Sequence, residues 1–272
     1  MGDRPQRDRR AARVTEWILR IAIAIGALGL AARWLPSSSA VAGLLYLDHG
    51  WLGEGAAEAV DDGLFVVLAA AGLLVLGPRR RFGLLIAGLL ALLISVATAL
   101  RDGAWPAIVP VEQAVRYVAP LALWLWFDRD GRTRPDLDAM LVFLLRCGVA
   151  ATFVGHGLEA LHHNPRFLDL VFAASRRCLG TPIAQANAEA LLTAIGVVDL
   201  IVAALLVVVR WRAVAAWMAF WGALTAASRM VHSGVGAWPE TALRALNCGA
   251  PLALVFAFTL PRKAPPPVGD VA

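Results

Sequence analysis

The sequence predicts an all-α, polytopic membrane protein with eight transmembrane helices, set as two parallel four-helix-bundle repeats. Three observations carry that prediction. Of 272 residues, 59% are hydrophobic and 17% charged, with a mean hydropathy of +0.67; soluble domains hold about 45–50% apolar and about 25% charged residues. The apolar residues fall in blocks of about twenty, the length a helix needs to cross a bilayer. Short motifs also recur in order in the two halves.

Residues 1–14 carry five arginines and are expected to form a disordered basic tail. The block Trp17 to Leu35 is the first expected span. Ala40-Val41-Ala42 resembles a signal-peptide cleavage site, but the block is long for a signal peptide and has a counterpart later in the chain. An outer segment with Asp48, His49 and Glu54 leads to the second span, Ala56 to Leu76. After the basic turn Arg79-Arg80-Arg81 comes the third, Phe82 to Leu100. The fourth ends at Trp124–Phe127 and should kink at Pro120. The first repeat thus covers residues 15–127.

Residues 128–138 form the expected linker. The second repeat, residues 139–260, holds spans at Met140–His162, Ala188–Val209, Ala213–His232 and Thr241–Leu260. Residues 261–272, rich in proline, are expected to be disordered. The basic segments at one end of these spans hold 15 of the 25 Lys and Arg, whereas Pro36 to Asp62 has none and carries five acids. The positive-inside rule then places both termini in the cytoplasm. Tryptophans near span ends, Trp126 among them, read as interfacial belts.

Gly103-Ala104-Trp105-Pro106 recurs as Gly236-Ala237-Trp238-Pro239, and Ala119-Pro120-Leu121-Ala122-Leu123 as Ala250-Pro251-Leu252-Ala253-Leu254. Four spans per half give both halves the same orientation, hence parallel repeats about an axis along the membrane normal.

The second half holds four of the five histidines. Thr152, His156, Glu159 and His163 share one helix face. Asp199 lies mid-span on the next helix, Thr225, Arg229 and His232 share a face of the third, and Glu240, Arg244 and Asn247 lie at the start of the fourth. Such groups are costly in lipid and must face protein or trapped water. The ligand-pocket candidates are His156, Glu159, Asp199, Arg229, His232 and Asn247, with the first two leading. The metal candidates are His156, Glu159, His163 and His232.

Three readings of the cluster stand side by side. It is a structural ion-pair network with Arg229 and Arg244 neutralising the acids; or a site for a non-haem metal or a haem; or an outward-facing pocket for a quinone headgroup, small solute or proton-coupled substrate. The histidine spacing matches no zinc signature.

Other classes find no support. The arginines sit between apolar blocks and form no basic stripe with interleaved aromatics, so nucleic acid is not an expected partner. No Walker motif, nucleophile elbow or kinase signature occurs. Cys147, Cys178 and Cys248 include no C-x-x-C pair; a disulfide is open to Cys178 and Cys248, but isolated thiols are the favoured reading.

The stretch FLLRCGVAATFVGHGLEAL, followed by GVVDLIVAALLVV, a basic turn and a small-residue span, resembles the DoxX-like bacterial membrane proteins. Gly155, Gly157, Gly196 and Asp199 carry the resemblance, with Arg244-Ala245-Leu246-Asn247 and Pro251-Leu252-Ala253-Leu254 behind them. It covers residues 140–260 well and the first half weakly. It implies four-helix units in the bacterial inner membrane, a link to quinone or thiol redox chemistry, and other membrane redox subunits as partners beside the lipid bilayer. It brings no catalytic residues.

Overall fold

The computed structural model describes residues 4–101, 107–127, 132–134 and 138–259, with side chains from residue 9 onward. Among the described residues the protein is all helix, without strands. Five helices are long and apolar enough to cross a membrane: α1 (Arg4–Trp34), α3 (Glu54–Leu76), α4 (Arg80–Arg101), α7 (Asp138–Leu161) and α9 (Gln185–Val208). Helix α10 (Arg212–Ser233) has the length, and the apolar α6 (Ala114–Trp126) and α12 (Ala245–Ala257) have 13 residues each. Four short helices connect them: α2 (Ala40–Gly43), α5 (Val109–Glu112), α8 (Pro165–Ala174) and α11 (Trp238–Ala242).

Several elements depart from expectation. The basic N-terminal segment is helical from Arg4, continuous with α1. Ala, Arg, Gln and Glu all favour helix, and Pro5 occupies the first turn, where its missing N–H costs nothing. The fourth and eighth expected spans are each broken into a short and a longer helix. Gln113 interrupts one (φ −96°, ψ 2°) and Arg244 the other (φ −97°, ψ 9°). Pro120 and Pro251 occupy the seventh position of α6 and α12, and both helices run through them. Trp126 is not interfacial: it is fully buried, and its indole N–H donates to Asp138 at 2.7 Å. The Gly103–Pro106 motif, residues 1–3, most of the linker and residues 260–272 lie outside the described residues.

Packing follows small residues. Helix α1 lies against α3 and α12, and α7 lies against α9 and α6, so the first long helix of each half rests on the last helix of the other. At the basic end, Arg20 on α1 donates from Nε to the Val75 carbonyl at 2.8 Å and from a terminal nitrogen to that of Leu76 at 2.6 Å. Arg146 on α7 donates in the same way to Leu206 (2.8 Å) and Val207. Each arginine satisfies carbonyls in the last turn of α3 or α9 that have no partner within the helix.

The halves differ at one seam. Helices α3 and α4 pack along their length; a Cβ on Gly83 would stand 2.6 Å from the Ala71 carbonyl oxygen. Helices α9 and α10 touch only briefly.

Candidate functional site

Where α9 and α10 diverge there is a cavity of about 510 Å³. Its floor is α7 (Phe153, His156, Ala160), its sides are α9 and α10, and α8 covers it with Phe167, Leu170 and Val171. Leu191 on α9 and Leu224 on α10, both about half exposed, are among its lining residues. Asn164 starts α8, its side-chain oxygen accepting from the Arg166 N–H at 3.0 Å, an ordinary N-cap. Beyond α8, Arg177 donates to the Val231 carbonyl at 2.7 Å and ties the cover to α10. The wall is overwhelmingly apolar.

Four of the six pocket candidates line this cavity: His156, Asp199, Arg229 and Asn247. Asp199 and Asn247 are buried. Asp199 Oδ1 has no hydrogen-bond partner. The Arg229 guanidinium lies 5.8 Å from the Phe167 ring centre. Among the described residues, nine buried side-chain polar atoms lack a hydrogen-bond partner, and five belong to residues lining this cavity: His156 Nδ1, Asp199 Oδ1, Arg229 Nε, Arg244 Nε and Asn247 Oδ1. Each such atom costs about 1–3 kcal/mol when nothing satisfies it.

The other candidates lie elsewhere. Glu159 sits beside the cavity, its Oε1 accepting from Asn164 at 2.8 Å. His232 is exposed at the end of α10. His163 follows α7 with a left-handed backbone (φ 51°), and its Nε2 bonds the Thr193 hydroxyl at 2.9 Å. The metal set His156, Glu159, His163 and His232 is therefore not assembled: the helix ends before His163, and the turn carries that ring away. The carboxylate that joins His156 and Glu159 is Glu112, from α5 of the first half. Its spacing from His156 holds no sequence signal. Gly155 permits the contact, since a Cβ there would meet the Glu112 backbone at 2.6 Å.

The expected ion-pair network exists in part. Arg244 donates to Glu240 at 2.8 Å, and Arg33, from α1, pairs with the same carboxylate. Arg229 has no carboxylate within ion-pair distance among the described residues. Asp48 pairs with Arg101 at 2.8 Å, and His49 stacks on Trp51. The three cysteines are free thiols; Cys178 lines the cavity rim.

The region around Leu30 and Leu68 in the first half holds only a void of about 20 Å³, lined also by Ile23, Ala27 and Arg116. That is room for about one water.

Fold and site together define an all-helical protein with several membrane-length helices and one sizeable apolar cavity that gathers unpartnered polar groups. No protein-family model matches the chain, and no match to it was found among the curated proteins or the solved structures.

Proposed function

We propose that the protein is a multi-pass membrane protein of DoxX-like type that binds a lipid-soluble amphiphile, a quinone in particular, in the cavity between α9 and α10. The observation that carries this reading is an apolar, ligand-sized cavity whose lining includes five residues, His156, Asp199, Arg229, Arg244 and Asn247, that each keep a buried polar atom without a hydrogen-bond partner. Ligand pockets are typically about 300–1,000 Å³, mostly apolar, with a few placed polar groups. A quinone ring offers carbonyl oxygens to the Arg229 guanidinium, and its reduced form offers hydroxyls to the Asp199 and Asn247 side chains, all of which line the cavity. The isoprenoid tail leaves between Leu191 and Leu224 into the lipid.

The same reading takes the chain as two parallel four-helix repeats, eight spans in all, in a bacterial inner membrane with both termini cytoplasmic. The paired clamps of Arg20 and Arg146, the paired breaks at Gln113 and Arg244, and the prolines at matching positions support it. In the first repeat Leu68 stands at the level of Asp199 and the seam between α3 and α4 is closed, so the cavity belongs to the second repeat alone. A reporter fused to the C-terminus should signal from the cytoplasm; a periplasmic signal would reverse the orientation.

Titration of the purified protein in nanodiscs with a short-chain quinone, read by quenching of tryptophan fluorescence, tests the binding. Saturable quenching is expected, weakened about tenfold by Arg229→Gln or Asp199→Asn, the effect of one lost hydrogen bond to a charged group. Absence of saturable binding, or affinity in both variants equal to that of the parent, would remove the quinone reading.

A further inference from the structure

We infer that Glu112, His156 and Glu159 form a divalent-cation site at the seam between the two halves of the chain, taking a first-row divalent metal such as Zn²⁺ or Mn²⁺. The inference stands apart from the quinone reading, because two of its three ligands do not line the cavity.

The geometry of the two carboxylates carries it. The Oε1 of Glu159 accepts from Asn164 Nδ2 at 2.8 Å, and the Oε1 of Glu112 faces Gln113 Nε2 at 3.4 Å. Both side chains therefore present Oε2 to the same nitrogen, His156 Nδ1, at 3.5 Å from Glu159 and 3.8 Å from Glu112. That nitrogen is shut off from solvent and makes no hydrogen bond. Ligand atoms about 2.1 Å from a tetrahedral metal stand about 3.4 Å apart, so the three atoms need to close by only a few tenths of an ångström along these two edges. Amides holding the outer oxygens are the kind of support that orients metal-binding carboxylates.

Charge argues the same way. Among the described residues neither Glu112 nor Glu159 has an arginine within ion-pair distance. Arg244 is engaged by Glu240, and Arg116 and Arg229 act on the pair only at longer range. Two facing carboxylates and an imidazole nitrogen offer a divalent ion three donor atoms, and its charge would offset that of the two carboxylates. One nitrogen and two oxygens suit zinc, manganese or ferrous iron. Three protein ligands leave a coordination position open, and His156 sets the site on the cavity wall.

The test is binding of Zn²⁺ or Mn²⁺ alone to chelator-treated, full-length protein in detergent, by calorimetry and elemental analysis. About one ion per chain is expected. Affinity should fall more than about 100-fold in Glu112→Gln and in Glu159→Gln, and about 10–100-fold in Asn164→Ala, where only the supporting amide is lost. His163→Ala and His232→Ala should bind as the parent does. Each variant is first checked for a single chromatographic peak, and Asn164→Ala, which keeps all three ligands, serves if the glutamate variants do not fold. No stoichiometric binding by the parent, or undiminished binding in the folded variants at Glu112, Glu159 and Asn164, overturns the site. Quinone binding that persists in Glu112→Gln separates this site from the cavity's own ligand.

Discussion

Gly157 and Gly196 put the backbones of α7 and α9 in direct contact. A Cβ on Gly196 would stand 2.7 Å from the Gly157 carbonyl oxygen, and one on Gly157 would stand 3.2 Å from the Asp199 Cβ. This contact fixes the depth at which Asp199 enters the cavity wall. Gly196→Val must push the helices apart, and overpacking of this kind costs about 1–3 kcal/mol. A lower thermal midpoint in detergent is expected, with weaker quinone binding. An unchanged midpoint would mean the contact is looser than described.

The arginine clamps predict a stability effect remote from the cavity. Arg146→Leu leaves the Leu206 and Val207 carbonyls without their donor, at about 1–3 kcal/mol for each group that water does not reach. Denaturant or thermal unfolding should show the loss, and Arg20→Leu should show a similar one through Val75 and Leu76. If either variant unfolds like the parent, the clamp is not stabilising.

Asp199→Leu should separate stability from binding. The carboxyl is buried with one oxygen unpartnered, and leucine is close to it in size. Removing such a group is expected to leave the protein as stable or up to about 2 kcal/mol more stable, while abolishing quinone-dependent quenching. A strongly destabilised variant would instead make Asp199 a structural group.

Glu240 predicts an acid limb. Burial pushes its carboxyl up, but the hydrogen bonds and charges of Arg244 and Arg33 outweigh that and hold it below the ordinary carboxylate range. A carboxyl lowered by folding contributes fully above its unfolded value of about 4.3 and ceases to contribute as pH falls through the folded value. Stability should therefore decline on acidification in this window, and Glu240→Gln should flatten the decline. Parallel profiles of thermal midpoint against pH for the two proteins would count against the pairing.

The sequence made the helices legible because the apolar blocks are long, uninterrupted and bounded by arginine, and a backbone in lipid has few other options than helix. It also marked His156, Asp199, Arg229 and Asn247, because polar groups within apolar blocks stand out by their cost. It misled at the ends of elements. Nothing in the spacing of His163 from His156 says that α7 stops at Leu161, and His232 shares a helical face with Arg229 without sharing its burial.

What the sequence determined by itself is thus local: a chain of long apolar helices with polar side chains, His156, Asp199, Arg229 and Asn247 among them, set within the apolar blocks of its second half. Two things belong to the tertiary structure. One is the cavity, which exists because α9 and α10 part where α3 and α4 close, a difference between helix pairs that neither helix encodes alone. The other is the arrival of Glu112 beside His156. Residues that far apart in the chain meet only because α5 packs against Gly155, and a contact of that range is set by how whole helices seat on one another.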